Sequence, residues 1–322
     1  MFRRLPVILS ADDLIDRSFN KSKKIQITDR NALFKKKKTI IAKTDSFTTS
    51  VIMTLENYVK KFPSINNLPM FYQELIDIKI DINKLKKSLG AVDWARKTCQ
   101  MIYSKQVKSL KKSKNLDFLN KKQQEIYGRI TSVVKQINKE LLNLGEAQKI
   151  MKDFPNIEDN PTIVIAGYPN VGKSSLLRCI SKAKPKIAHY PFTTKEIHVG
   201  HIEKKEKYVL QKYQVIDTPG LLDRPLSKRN DIEKQALAAL SHLADIIVFV
   251  IDTTETCGYS LNDQKNLLAQ IKKMFKDSKI IIVENKSDFK KTNSKNLKIS
   301  CKTKDSISEL INQLFSYYKK IK

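Results

Sequence analysis

Residues 162–174, TIVIAGYPNVGKS, are the stretch of sequence that decides the fold. The apolar run Thr162–Ala166 predicts a buried strand, and Gly167–Ser174 then follows the pattern Gly-x-x-x-x-Gly-Lys-Ser. Glycines let consecutive backbone amides turn inward around an anion, and the first turn of a following helix adds positive potential. The stretch therefore predicts a strand, a phosphate-binding loop and a helix that begins at Lys173.

Strands and helices alternate from Pro161 onward, which predicts a doubly wound α/β nucleotide-binding fold with a mostly parallel sheet. Near-continuous apolar runs are typical of buried parallel strands. Such strands are expected at 162–166, 245–252 and 279–283, and a β-ribbon is expected at 197–202 and 208–216. Helices are expected at 173–182, 232–243, 261–275 and 305–318.

Apolar residues recur at helical spacing through roughly the first 155 residues, which predicts an all-α helical bundle ahead of the α/β domain. One stripe starts at Phe71 and stops at Gly90, a residue suited to ending a helix. The tetralysine tract Lys35–Lys38 is expected in an exposed, basic N-terminal arm. Two prolines end the last predicted helix, so the helical domain is placed at 1–157 and the α/β domain at 158–322.

The chain is strongly basic, with 61 Lys and Arg against 33 Asp and Glu and a formal net charge of +28. This excess favours a polyanionic partner, since neutralising the phosphates of a nucleic acid releases counterions. The alternative is a lysine-rich surface that is only solvated. Nucleic acid is the partner class that the charge favours.

Cysteine usage and hydropathy favour a reducing compartment and a soluble protein. The four cysteines are dispersed and form no C-x-x-C pair, which argues against a disulfide framework or a zinc cluster. The apolar run near the N-terminus is too short for a signal peptide, and no run of about 18 apolar residues occurs. We expect a cytoplasmic monomer that does not enter a membrane.

Residues around the phosphate loop are expected to bind a triphosphate and its Mg²⁺ ion. Lys173 would reach the β- and γ-phosphates, and Ser174 would ligate the metal. Asp217, which opens the motif Asp-Thr-Pro-Gly220, would hold the metal through water, while the Gly220 amide would contact the γ-phosphate. Thr194 is expected to complete the metal shell, with Thr193 as the alternative. The expected phosphate contacts are Gly167, Tyr168, Pro169, Asn170, Val171, Gly172, Lys173, Ser174, Ser175, Phe192, Thr193, Thr194, Asp217 and Gly220.

The motif Asn-Lys-Ser-Asp at 285–288 follows a predicted strand and indicates guanine. The Asp288 carboxylate can accept both hydrogens of the ring N–H and amino edge of guanine, and adenine lacks those donors. Asn285 would tether the neighbouring loops, and Lys286 would lay its stem over the base. The segment Ser300, Cys301 and Lys302 would offer a backbone amide to the guanine carbonyl. GTP and GDP are therefore the expected ligands, and GTP hydrolysis is the expected reaction.

Hydrolysis is expected to be slow, because Leu221 stands where Ras-type GTPases have the glutamine that orients the attacking water. Asn170 offers a carbonyl oxygen near the bridging phosphate, and related GTPases with Asn there can bind K⁺ in place of an arginine finger. Activation by K⁺ is a hypothesis, and the alternative is that Asn170 only stabilises the loop turn. Arg224 is another candidate for stabilising negative charge on the phosphates, but a structural role is favoured for it. The expected catalytic residues are Lys173, Thr194, Gly220 and Asn170.

Three segments carry a more specific signal: GYPNVGKSSLLRCI at 167–180, DTPGLLDRP at 217–225 and DTTETCG at 252–258. They resemble the nucleolar GTP-binding protein 1 (Nog-type) family, in the Obg-like branch of P-loop GTPases. Members of this branch also carry a hydrophobic residue after the switch glycine, so Leu221 conforms to the pattern. Two features depart from it: we expect a member without the long C-terminal extension of eukaryotic members, and Glu284 replaces a usual aliphatic residue. A compact, archaeal-type member is expected.

The resemblance implies an assembly factor for the large ribosomal subunit, in which the helical domain contacts ribosomal RNA beside the GTPase domain. The implied partners are GTP or GDP, large-subunit ribosomal RNA and precursor particles. An Obg-like GTPase acting in translation or RNA modification on mature ribosomes is one alternative. A signalling GTPase whose basic helices dock on anionic lipid is another.

Overall fold

The structure, a computed structural model, describes residues 2–157, 160–181, 185–189, 196–206, 209–225 and 229–318. The chain divides into two compact units. Met1–Leu68 and Lys79–Lys152 form the first unit, and Pro69–Ile78 and Asp153–Lys322 form the second. The expected boundary between residues 157 and 158 stays a prediction. The two units differ from it because the short segment Pro69–Ile78 belongs with the second.

Long helices build the first unit. α2 packs against α1, α4 and α5, and α4 also packs against α5 and α6. Short 3₁₀ turns lie at Phe2–Arg4 and Ile65–Asn67. The helices that precede residue 153 are α1 (Ala11–Lys23), α2 (Ala32–Lys61), α3 (Met70–Ile80), α4 (Ile82–Lys112), α5 (Leu116–Gln136) and α6 (Asn138–Lys152).

The expected helix end at Gly90 is wrong. α4 continues through Gly90, and the chain breaks instead at Asp81, which has a φ of 68° and whose side chain accepts hydrogen bonds from the amides of the first helical turn. The buried stripe explains the continuity, because Leu85 and Val92 are both inward-facing on either side of the glycine. An exposed glycine within a helix costs only about 1 kcal/mol relative to alanine, so packing decides.

The expected placement of the tetralysine tract in an exposed N-terminal arm is also wrong. Lys35–Lys38 lie in the first turns of the 30-residue helix α2. The Asn31 side chain accepts hydrogen bonds from the amides of Leu33 and Phe34 and so begins the helix. Further along α2, Phe47 and other apolar residues are fully buried, and this packing fixes the helix to which the lysines belong.

A seven-stranded sheet is the centre of the second unit, in the order β2-β3-β4-β1-β5-β6-β7. β1 pairs in parallel with β4 and β5, β5 with β6, and β6 with β7, whereas β2, β3 and β4 form an antiparallel ribbon. The strands are β1 (Thr162–Ala166), β2 (Lys186–His189), β3 (Glu196–Glu206), β4 (Val209–Asp217), β5 (Ile246–Asp252), β6 (Lys279–Asn285) and β7 (Leu297–Lys298).

Strand register brings several polar residues to one edge of this sheet. Ile165 pairs with Asp217, and Asp252 pairs with Asn285. Since β1, β4, β5 and β6 all run the same way, their carboxyl ends meet at that edge, where ligands of doubly wound folds bind. The first of these strands ends directly at the phosphate-loop sequence.

The remaining helices complete an α/β domain. They are α7 (Lys173–Ile180), α8 (Asp231–Ser241), α9 (Leu261–Met274) and α10 (Ile307–Tyr318). The expected fold class, a mostly parallel α/β domain preceded by a helical domain, is confirmed. Within the described residues, every helix is too short or too polar to cross a lipid bilayer.

Candidate nucleotide-binding site

The loop between β1 and α7 has the backbone geometry of an anion cradle. Gly167 and Gly172 have φ values of 139° and 102°, which L side chains rarely adopt. A Cβ on Gly167 would lie 2.5 Å from the carbonyl oxygen of Val250, and one on Gly172 would overlap the side-chain amide of Asn285. Both glycines are therefore required by close approach as well as by conformation. The first turn of α7 presents its positive end to the loop.

Lys173 lies across this loop from the first turn of α7. Its Nζ donates to the carbonyl oxygens of Gly167 and Tyr168, at 2.8 Å each. The side chain is buried, as is rare for lysine, and these two carbonyl oxygens accept hydrogen bonds from its ammonium group. The ammonium is thus fixed at the centre of the loop, where a phosphate group would meet it.

Ser174 and Asp217 meet as a pair of oxygen ligands for a hard cation. Ser174 Oγ donates to Asp217 Oδ2 at 2.5 Å. Asp217 is fully buried, and its Oδ1 has no hydrogen-bond partner among the described residues. A buried carboxylate oxygen without a partner is costly, and Mg²⁺ prefers oxygen ligands of this kind, so these residues fit the metal. The expected contacts Phe192, Thr193 and Thr194 lie outside the described residues.

The segment after β4 lies directly against the phosphate loop. Leu222 offers its carbonyl oxygen to the amide of Gly167 at 3.1 Å. The amide of Gly220 donates to the Asp223 carboxylate at 2.7 Å. Leu221 is only 1% exposed, so its side chain belongs to the core and takes no part in holding water. Arg224 pairs with Glu233 at 2.6 Å, which accounts for it structurally.

Asn285 ties three loops together at the end of β6. Its Nδ2 donates to the Val171 carbonyl at 2.8 Å, and its Oδ1 accepts from the Cys301 amide at 3.1 Å. Asp288, further along the same motif, accepts a hydrogen bond from Ser300 Oγ at 2.7 Å. The Cys301 amide donates to Asn285 and the Ser300 amide donates to the carbonyl of Asp305, so the amide expected to contact the guanine carbonyl would be that of Lys302.

A cavity of about 320 Å³ opens between these loops, within the range of small-molecule sites. Its lining combines the phosphate loop with the base-reading motif. All the lining residues except Phe289 are expected nucleotide contacts: they are Asn170, Gly172, Ser175, Asn285, Lys286, Asp288, Phe289, Cys301 and Lys302. Phe289 is 70% exposed, and Lys302 Nζ lies 5.4 Å from the centroid of its ring.

Comparison with known families decides the assignment. Residues 2–158 match the family described as NOG1 N-terminal helical domain, and residues 162–286 match the family described as 50S ribosome-binding GTPase. The chain belongs to the NOG1 family of GTPases. The second unit of this NOG1-family chain is accordingly a GTPase domain, and the expected enzyme class is confirmed.

Similar proteins match this chain over different shares of their length. An uncharacterised protein of Methanocaldococcus jannaschii is 38% identical over 291 residues, which cover 89% of this chain and 81% of that protein. Nucleolar GTP-binding protein 1 of Saccharomyces cerevisiae is 31% identical, with 89% of this chain and 44% of the yeast protein covered. The chain thus spans less than half the length of its yeast relative. A solved nucleolar GTP-binding protein 1 from Plasmodium falciparum is 34% identical over 52% of this chain and 91% of that chain, with a TM-score of 0.44.

Asp252 is a residue of this NOG1-family site that sequence reasoning missed. It is fully buried at the end of β5, and Lys286 Nζ lies 2.6 Å from its Oδ2. Burial alone would raise the pKa of Asp252, but hydrogen bonds from Lys286 and Thr254 outweigh burial and lower it. An aspartate at the end of a buried strand, as at Asp217, is the signal that could have found it.

The loop after Asp252 packs against the phosphate loop. The Gln264 amide bonds to both the amide and the carbonyl of Asp252 and to the carbonyl of Tyr259. The rings of Tyr259 and Tyr168 lie 4.2 Å apart between centroids. The loop that holds Lys286 is therefore in direct contact with the loop that is expected to bind phosphate.

Glu284, the unusual residue of this NOG1-family GTPase, orders the loop that follows the base-reading motif. It is buried and accepts hydrogen bonds from Thr292, Ser294 and Asn296. Burial alone would raise the pKa of Glu284, yet these hydrogen bonds lower it below its ordinary value. Hydroxyl and amide donors satisfy this carboxylate directly, and the nearby Lys298 donates instead to the carbonyl of Ser294.

Proposed function

We propose that this chain is a GTP-controlled assembly factor of the large ribosomal subunit that binds ribosomal RNA through its helical unit. The GTPase domain supports the nucleotide part, since phosphate, metal and base ligands meet at one sheet edge. Names of relatives support the ribosomal part: one matched family is described as ribosome-binding, and the similar yeast protein is called nucleolar. A basic surface of the first unit supports RNA binding.

Different site residues contact different parts of GTP. Lys173 and the loop amides bind the β- and γ-phosphates, and the Gly220 amide recognises the γ-phosphate. Mg²⁺, which P-loop GTPases generally use, would be held by Ser174 and by Asp217 through water, with Thr194 added in the GTP state. When bound, the metal neutralises charge that develops between the β- and γ-phosphates. K⁺ at Asn170 remains part of this proposal.

The observation that carries RNA binding is a basic surface at one end of the helical unit, which we name the lysine end. α2 and α5 start there and α4 finishes there. Gln123 of α5 contacts the Ile40 carbonyl and Thr44 Oγ1 of α2, and Gln106 of α4 contacts Glu125 of α5. These contacts place the three helix ends together. The lysine end comprises Lys35, Lys36, Lys37, Lys38, Lys108, Lys111, Lys112, Lys114, Lys121 and Lys122.

Few acidic groups neutralise the lysine end. Lys38 pairs with Asp29 and Lys122 pairs with Glu125, both at 2.6 Å. Exposed ion pairs of this kind are weak and screened by salt. The remaining ammonium groups create a positive electrostatic potential that suits the phosphates of a nucleic acid. Contacts between these lysines and phosphates would supply most of the affinity for RNA.

Exposed aromatic rings beside these lysines favour unpaired RNA over duplex. Phe34, in the first turn of α2, is 50% exposed, and Phe118, in the first turn of α5, is 41% exposed. Unpaired bases can stack on such rings, whereas duplex RNA is recognised by shape and backbone. A lipid surface is the competing partner, but a membrane-binding helix needs a continuous apolar face, and α2 and α5 turn theirs inward.

Fractionation of ribosomal particles tests this function. The wild-type chain is expected to sediment with precursors of the large subunit, to dissociate as salt rises, and to be lost from the particles after Lys173→Ala. Sedimentation with mature ribosomes only would favour the Obg-like alternative. Binding to anionic vesicles without RNA, or to small subunits alone, would overturn the proposal.

A further inference from the structure

Asp223 occupies the Gly220 backbone amide, which is expected to contact the γ-phosphate of GTP. Its Oδ2 accepts from the Gly220 amide at 2.7 Å, and the Asp223 side chain is buried. An N–H group donates one good hydrogen bond, and a carboxylate is a strong anionic acceptor. The γ-phosphate and Asp223 are therefore competitors for the same donor.

A second set of hydrogen-bond donors for the Asp223 carboxylate exists nearby, on Arg229. Arg229 is 7% exposed, and its Nη2 donates to the carbonyl of Arg224 at 2.6 Å. Its Nε and Nη1 have no hydrogen-bond partner among the described residues. A buried guanidinium with two unsatisfied donors is costly, so it would gain from a carboxylate.

Electrostatics already link Asp223 and Arg229. Burial lowers the pKa of Arg229, and the negative charge of Asp223 opposes that change. Glu233 also opposes it, but Glu233 is held by Arg224 and by the amide of Asn230. Asp223 is thus the nearby carboxylate that can change partners. It would give up a single hydrogen bond to a neutral amide, which is weaker than a bond to a charged group.

We propose that Asp223 is a positioning residue for γ-phosphate recognition: its carboxylate holds the Gly220 amide when no γ-phosphate is present and moves to Arg229 when GTP binds. The Gly220 amide and the Asp223 carboxylate then keep a partner in both states, and Arg229 gains a carboxylate only in the GTP state. Without a γ-phosphate, the Gly220 amide is bonded to Asp223. With GTP, that amide bonds to the γ-phosphate, and the displaced carboxylate neutralises Arg229. The exchange sets how strongly the domain prefers GTP to GDP.

Two variants make opposite predictions for this exchange. Asp223→Asn keeps the shape but removes the charge that competes, so affinity for a non-hydrolysable GTP analogue should rise about tenfold while GDP affinity stays the same. Arg229→Gln removes the alternative site for the carboxylate, so affinity for the analogue should fall by a similar factor. Arg229 acts through Asp223, so in the double variant the effect of Arg229→Gln should largely vanish.

The experiment measures GDP and analogue affinities on the full chain by fluorescence of labelled nucleotides. Asp231→Asn is the matched control, because Asp231 is 92% exposed and pairs only with Lys234 among the described residues. A merely structural role for Asp223 would weaken both nucleotides together. Equal effects on GDP and the analogue, or none on either, overturn the proposal. If Asp223→Asn does not fold, Arg229→Gln alone decides by the same comparison.

Discussion

Lys286 Nζ lies 2.6 Å from Asp252 Oδ2, an ion pair between residues 34 positions apart that fixes the lysine beside the nucleotide cavity. Thr256 Oγ1 accepts from the same ammonium at 2.8 Å. Lys286 lies directly after β6 and has a φ of 63°. The ion pair anchors its side chain at this position. A lysine held in this way can lay its stem over a base without paying the entropy of ordering a free side chain.

Asp252→Asn should therefore weaken both GTP and GDP, because the base contact is common to the two nucleotides. Loss of a charged hydrogen bond predicts about a tenfold fall for each, with their ratio unchanged. Nucleotide affinities measured by calorimetry check this, with the exposed Asp277→Asn as control. Unchanged affinity would show that Asp252 only holds the loop that follows it and does not contribute to nucleotide binding.

Asp288→Asn should change base selectivity. The asparagine amide can donate to the second carbonyl of xanthine, but it can no longer accept both hydrogens of guanine. GTP affinity should fall roughly a hundredfold, and XTP should become the better ligand. Competition between the two nucleotides measures this, and a variant that still preferred GTP would contradict the role given to Asp288.

Asn170→Gly separates the two explanations for Asn170. Its φ of 61° is one that glycine adopts freely, so the loop turn survives while the side-chain carbonyl is lost. If K⁺ binds there, wild-type turnover in KCl should exceed turnover in NaCl, and the variant should lose the difference but keep its affinity for nucleotide. Equal wild-type turnover in the two salts would end the K⁺ hypothesis.

Replacing Lys35, Lys36 and Lys37 by Gln should weaken binding to large-subunit ribosomal RNA at low salt. If all three contact phosphates, the slope of log affinity against log salt should become shallower by roughly two to three. The matched control replaces Lys272, Lys273 and Lys276, which are exposed and lie in the GTPase unit. A similar loss in both triple variants would mean that net charge alone matters.

Phe34→Ala tests the aromatic part of the lysine end by itself. Stacking of an unpaired base contributes about 1 to 3 kcal/mol, so single-stranded RNA should bind more weakly while the salt slope stays the same. Duplex RNA of equal length should be little affected. Equal losses for both RNAs would argue against stacking at this ring.

Glu284→Gln should lower stability in a pH-dependent way. The folded-state pKa of Glu284 is lowered from 4.5, so its contribution is fully present above that pH and is lost as pH falls through the lower folded value. The free energy of unfolding should drop by about 1 to 3 kcal/mol at neutral pH. The difference from wild type should shrink below pH 4.5, and chemical denaturation across pH measures it.

Local sequence patterns predicted the GTPase half closely. The phosphate loop, the three apolar strands and the base-reading motif are each short and continuous, so their signal lies within a few residues. The helical half was harder, because its apolar stripe continues across Gly90. The true break, at Asp81, depends on a left-handed residue that the spacing of apolar positions does not reveal.

Residues that act through distant partners could not be predicted in this way. Asp252 acquires a role only when β5 and β6 pair in register, and Glu284 only when the following loop folds back onto β6. Asp223 lies within the motif at 217–225, yet its bond to the Gly220 amide depends on the turn between them.

The sequence by itself determined that this chain is a GTPase, because the glycines, Lys173 and the Asn285–Asp288 motif that predict this class stand in short continuous segments. Tertiary structure decided how the site is held. It paired Asp252 with Lys286, bonded Asp223 to the Gly220 amide, and brought three helix ends together as one basic surface. The physical reason is that burial and long-range pairing fix which donor meets which acceptor, and neither is a property of a short segment.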